Sequence, residues 1–83
     1  MTAVVTLYGR PGCHLCDDAR RVLERVRAGV GGPAFGLREI DIERDDELFK
    51  RYLERIPVVC LDGEELFELH VDERTLRRRL SLS

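Results

Sequence analysis

The chain has 83 residues, 43% of them hydrophobic and 36% charged, which gives room for a single domain over residues 1–83 with one modest core and argues against a disordered tail. A formal net charge of −2 supplies no drive toward nucleic acid or an anionic membrane as a main partner. Three cysteines are too few for a disulfide framework, so stability has to come from packing.

From Ala3 to Tyr8 the residues are apolar and β-branched and stop at Gly9 and Pro11, which reads as a short buried strand. From Cys13 to about Ala28, Leu15, Ala19, Val22, Leu23 and Val26 recur at helical spacing, and Gly29 is a suitable stop. Gly29 to Pro33 is a loop, and Phe35 to Ile42 alternates in part, with Leu37, Ile40 and Ile42 among its apolar members, as a second strand. Glu43 to Arg55 predicts a helix with Leu48, Phe49, Tyr52 and Leu53 on one side and acidic residues at its start, where they suit the helix dipole. Ile56 to Leu61 is an apolar run, Asp62-Gly63 is a strong hairpin signal, and Glu64 to Leu69 resumes as a strand. Asp72 can cap a last helix containing Leu76 and Leu80. The order β-α-β-α-β-β-α makes an α/β chain: two parallel strands joined by a crossover helix, then a hairpin, in a sheet flanked by helices.

Chemistry concentrates where the first strand gives way to the first helix. Cys13 and Cys16, spaced C-x-x-C, place two sulfurs within one turn of each other at the helix start, close enough to bridge. Unpaired N–H groups and the positive end of the helix dipole there stabilise a thiolate on Cys13. Arg10, three residues earlier, can add to that stabilisation or hold a substrate carboxylate; the plainer reading is a solvated turn cation. His14 can support a neighbouring thiolate when protonated or stand as a passive rim residue, while Asp17 and Asp18 oppose the thiolate. The carboxyl end of a strand is where catalytic sites of open α/β sheets lie.

Two other readings of the pair stand beside this one. It can be a reduced and inert helix start. It can be half of a zinc site, although a structural site takes four ligands and only Cys60, His14 and His70 remain, without a second close pair. Haem attachment is excluded, since the usual signature has its histidine after the second cysteine. Cys60, within an apolar run, reads as a small core side chain; Arg74, Arg77, Arg78 and Arg79 read as a solvated helix face, and His70 as a loop residue. Met1 to Val5 lacks the features of a signal peptide and no apolar stretch is of membrane-spanning length, so the expected location is the cytoplasm, where thiols are kept reduced.

Tyr8-Gly9-Arg10-Pro11-Gly12-Cys13-His14-Leu15-Cys16 resembles the Tyr-Ser-Lys-Pro-x-Cys-Pro-Tyr-Cys site of glutaredoxins, and Ile56-Pro57 resembles their Val-Pro step. The pattern is similar to the small glutaredoxin-like proteins with a C-x-L-C site. The resemblance implies a thioredoxin-like fold with a four-stranded mixed sheet, Cys13 as nucleophile, Cys16 as resolving thiol, and a cis Pro57 that with Ile56 shapes a substrate groove. It further implies a thiol–disulfide oxidoreductase in cell redox homeostasis, with the dithiol in place of any cofactor and glutathione as a candidate co-substrate. Expected partners are a disulfide-containing protein or small thiol and an external reductant, the chain itself being a monomer. Iron–sulfur binding, found in some glutaredoxins, is a further reading. Leu69-His70-Val71-Asp72 stands where glutaredoxins place a Gly-Gly pair near bound glutathione, and His14-Leu15 where they have Pro-Tyr. The alternative from another class is a binding or adaptor module of the same fold whose cysteines do not turn over.

Overall fold

A computed structural model describes residues 3–29 and 34–81. Strand β1 (Ala3–Gly9) leads through a turn into α1 (His14–Ala28), then come β2 (Phe35–Asp41), a 3-10 turn (Ile42–Arg44), α2 (Asp46–Tyr52), β3 (Val58–Leu61), β4 (Glu64–Glu68) and α3 (Glu73–Ser81). The sheet order is β2-β1-β3-β4, with β1 parallel to β2 and antiparallel to β3, and β3 antiparallel to β4. This is the expected order and mixed four-stranded sheet. Most of the loop expected over residues 29–33 lies outside the described residues.

Alternation along β1 divides the core in two, because successive side chains of a strand face opposite sides of the sheet. Val5 and Leu7 join Ala19, Leu23 and Val26 of α1, Val59 and Leu61 of β3, and Leu76 and Leu80 of α3 in one buried cluster. On the other side Val58 and Cys60 pack with Ile42, Tyr52, Ile56 and Cys16, with Tyr8 and Cys13 against them. Cys60 is only 6% exposed, the core position expected of it.

The sequence reading departs from the structure most at the second helix. Instead of one helix from Glu43 to Arg55 there is a 3-10 turn and then seven residues of α-helix. Asp45 separates them: its backbone is extended (φ −143°, ψ 115°), and its carboxylate accepts the peptide N–H groups of Glu47 and Leu48. A capping aspartate starts a helix at its own position, so the acidic residues read as the first turn are partly the cap. Ile42, assigned to the second strand, is fully buried within the 3-10 turn. Leu53 and Leu15, both counted on apolar faces, are 36% and 48% exposed. Leu53 follows the last turn of α2 and Leu15 lies in the first turn of α1, at the element ends.

The hairpin turn at the end of the sheet uses the backbone freedom that its residues allow. Asp62 (φ 50°) and Gly63 (φ 89°) form the β3–β4 hairpin with two positive φ angles, as a type I′ turn requires. Asp62 is also tied to β1, its N–H donating to the Val4 carbonyl (2.8 Å) and its carboxylate accepting the Val4 N–H (2.9 Å). Asp72 caps α3, accepting the Arg74 N–H and the Thr75 hydroxyl, as expected of it.

Candidate functional site

The turn before α1 has Pro11 at its second position and Gly12, with φ +80°, at its third; the Cys13 N–H donates back to the Arg10 carbonyl at 3.4 Å. Proline followed by a left-handed glycine is the type II pattern, and it delivers Cys13 to the mouth of the helix. Cys13 is therefore the residue that caps α1 rather than its first helical residue: its backbone is extended, and its sulfur accepts the Cys16 peptide N–H at 3.2 Å. That bond occupies one of the donors a helix start leaves unpaired and points it at the Cys13 sulfur.

Cys13 is half-buried and Cys16, one turn on, is 1% exposed; Cys13, Cys16 and Cys60 are all free thiols. Burial pushes the Cys16 thiol up to about 12, with the Cys13 sulfur and the Asp17 carboxylate adding to it and an Arg10 backbone bond opposing it. Burial also raises the Cys60 thiol, with the Glu65 charge contributing. The accessible sulfur is thus at the surface, and the other is kept as a protonated thiol behind it.

One backbone feature makes room for Cys16 there. Gly9, the last residue of β1, leaves open the space its Sγ occupies, since a Cβ on Gly9 would sit 2.9 Å from that sulfur. Tyr8 pairs with Val58 across β1 and β3, so Gly9 and Pro57 are the next positions along the two antiparallel strands. The Ile56–Pro57 peptide is cis, as the resemblance implies. Ile56 is buried beside Cys16, its N–H bonded to the Tyr52 carbonyl, and the Pro57 carbonyl accepts the Leu69 N–H at 2.9 Å.

The structure therefore brings Cys13, Cys16 and Ile56 together in one cluster, with Pro57 adjoining. His14 is exposed at the first position of α1. Arg10 is exposed on the turn, its guanidinium 3.9 Å from the Glu43 carboxylate. The tyrosine preceding this turn also has a defined place, with the Tyr8 and Tyr52 rings 4.9 Å apart and Arg51 and Arg55 over the Tyr52 ring. Among the described residues no group of three or more His, Cys, Asp or Glu side chains is arranged to hold a metal ion, and no helix is long and apolar enough to cross a membrane.

Sequence reasoning missed two contributors. Gly9 reads in sequence only as the end of a strand; its close approach to Cys16 depends on where α1 docks. Arg20 lies off the apolar stripe of the first helix in sequence, yet it bonds Asp17 at 2.8 Å and also Glu39 of β2, within a cleft of about 400 Å3 that Cys16 lines too. The i,i+3 spacing of Asp17 and Arg20 was visible, but the partner on β2 required the strand pairing.

A sheet of order β2-β1-β3-β4 with two cysteines at the start of α1 and a cis proline just before β3 defines a protein of the thioredoxin-like fold. A mutant thioredoxin from Halobacterium salinarum shares that fold, with a TM-score of 0.61 and 22% identity over 96% of this chain and 73% of that one. More narrowly, residues 4–81 match the Glutaredoxin-like domain (DUF836), and the chain belongs to that family. It is similar to the target protein XcR50 from X. campestris, with 35% identity, a TM-score of 0.72 and coverage of 95% of this chain and 97% of that one. It is also similar to the Glutaredoxin-like protein YDR286C homolog of Dictyostelium discoideum, 28% identical over 75 residues that make up 87% of this chain and 69% of that protein.

Proposed function

We propose that this chain is a cytoplasmic thiol–disulfide oxidoreductase of glutaredoxin-like type that works through a reversible Cys13–Cys16 dithiol. The observation that carries this reading is the Cys13 sulfur at the cap of α1, accepting the Cys16 N–H at 3.2 Å, with the Cys16 thiol buried one turn behind.

In the first step the Cys13 thiolate attacks one sulfur of a substrate disulfide. A Cys13–substrate bond forms, the substrate S–S bond breaks, and the departing thiolate takes up a proton. Cys16 then gives up its proton, attacks the Cys13 sulfur and expels the second substrate thiolate. Two electrons have passed from the dithiol to the substrate, and a Cys13–Cys16 disulfide remains. An external thiol reductant, glutathione or a protein dithiol, reverses these steps. Arg10 attracts a substrate carboxylate, Ile56 and Pro57 line the groove beside the sulfurs, and His14 forms its rim. The dithiol serves in place of a cofactor. The substrate is a disulfide-bearing protein or small thiol, with neither nucleic acid nor membrane as partner, and the chain acts as a monomer.

A glutathione-dependent disulfide reduction assay, run beside one coupled to thioredoxin reductase, tests this. Turnover in one of them that Cys13→Ser abolishes is expected. The midpoint of the pair in glutathione buffers is expected at about −200 to −270 mV, the range of reductive members of this fold. Absence of turnover in both assays would instead support a binding module with idle cysteines.

A further inference from the structure

Cys16 has to ionise during the resolving step, and the cleft it lines carries three carboxylates, those of Asp17, Glu39 and Asp41. Asp17 follows it on α1, and Glu39 faces the same cleft from β2. Arg20 lies between them. Its Nη1 bonds the Asp17 carboxylate at 2.8 Å and its Nε bonds Glu39, joining the first turns of α1 to the edge strand. The other charged groups on the cleft wall are Arg10, Asp41 and Arg44, and they are only loosely matched: Arg10 stands 3.9 Å from Glu43, and Arg44 stands 3.9 Å from Asp41. On its far side Cys16 packs with uncharged groups, Ile42, Tyr52, Ile56, Val58 and Cys60, with Tyr8 and Cys13 adjoining.

We infer that Arg20 is a positioning residue for the resolving step: by binding Asp17 and Glu39 together it cancels their charge beside Cys16, and so sets how fast Cys16 closes on Cys13. This rests on the oxidoreductase reading above. Negative charge near a thiol disfavours its thiolate, and a guanidinium that engages both carboxylates removes most of that penalty. Cys13, at the helix cap and not among the residues lining this cleft, attacks at the surface, so its first step feels the network less. The ion pairs are 37% to 46% exposed, which keeps the effect modest: water and salt screen such charges, and a change of roughly two- to fivefold in rate is the scale to expect.

Ellman's reagent separates the two steps in one experiment. Attack by Cys13 on the reagent disulfide releases one coloured thiolate and leaves the other half on Cys13; closure by Cys16 forms the Cys13–Cys16 bond and releases the second. Stopped-flow absorbance reads both phases, and mass spectrometry of quenched samples identifies the mixed disulfide. In Arg20→Gln, which leaves both carboxylates uncompensated, the first phase is expected within about twofold of the wild type. The second should be slowed about threefold, with the mixed disulfide accumulating. The triple variant Asp17→Asn, Arg20→Gln, Glu39→Gln, which lacks the ion pairs but also the charges, is expected to restore the second phase.

An unchanged second phase in Arg20→Gln, or equal slowing of both phases, would overturn the inference. So would a triple variant as slow as the single one, because loss of packing would then be the cause. A wild-type protein with a first phase and no second would refute the dithiol reading itself, and this assignment with it.

Discussion

Gly9 and Cys16 touch so closely that any side chain at position 9 would force one of them to shift: a Cβ there would lie 2.9 Å from the Cys16 sulfur and 3.2 Å from its Cβ. The sulfur is buried and belongs to a short side chain fixed to a helix, so it has little room to withdraw. Gly9→Ala is therefore expected to cost about 1–3 kcal/mol, the usual range for overpacking in a core. The same variant should close the Cys13–Cys16 disulfide more slowly, because the strain falls on the sulfur that has to move. Urea unfolding and the rate of thiol loss in oxidised glutathione check the two parts separately.

Stability at alkaline pH should depend on Cys16. Its folded thiol is raised to about 12 from an ordinary value of 9.0, chiefly by burial. The native state therefore holds a proton that the unfolded state releases. The resulting stabilisation is complete below about pH 9 and is lost as pH rises toward 12. Burial acts in the same direction on Cys60 and Tyr8. Urea midpoints measured from pH 8 to pH 11 should fall more steeply for the wild type than for Cys16→Ala, whose missing thiol removes one part of the slope.

The element order and the dithiol were legible because they rest on local chemistry. Gly9, Pro11 and Gly12 mark the turn, Cys13 and Cys16 open a helix of apolar periodicity, and Asp62-Gly63 between two apolar runs is a strong hairpin signal. The boundaries of α2 were less so. Asp45, Asp46 and Glu47 all suit a helix start, and only the extended backbone of Asp45 identifies it as the cap. The exposure of Leu15 and Leu53 depends on where the sheet ends, which no helical wheel contains. Gly9 and the Asp17–Arg20–Glu39 bridge were hidden for the same reason: each joins segments that meet only through the β1–β2 pairing or the docking of α1.

Gly12 and Leu69 both have positive φ, +80° and +73°, and should respond to substitution in opposite ways. A Cβ on Gly12 would meet nothing within 4 Å, so Gly12→Ala has no clash and its cost is conformational alone, about 1–2 kcal/mol. Leu69 already bears that strain, and its side chain is 44% exposed. Leu69→Asn replaces it with a residue that tolerates the left-handed region, with a gain of about 0.5–1 kcal/mol, in part offset by the lost apolar contact. Thermal unfolding of the two variants beside the wild type decides both.

Acid should loosen α3 first. The Asp72 carboxyl is held below its ordinary range, mainly by the Thr75 hydroxyl it accepts, and that of Glu73 likewise by Arg77 and then Arg25. Groups whose folded pKa is depressed contribute stability that is present above the ordinary carboxylate range and is lost as pH falls through the folded value. Both residues lie at the start of a helix that supplies Leu76 and Leu80 to the core beside α1, so protonating Asp72 weakens the cap of that helix and protonating Glu73 weakens its tie to Arg25 of α1. Asp72→Asn retains a side-chain oxygen that can accept the Arg74 N–H, and asparagine caps helices about as well as aspartate. The variant should therefore stay folded at pH 7 and show a flatter fall in urea midpoint between pH 5 and pH 3 than the wild type. An equally steep fall would mean that the acid sensitivity lies elsewhere than at this cap.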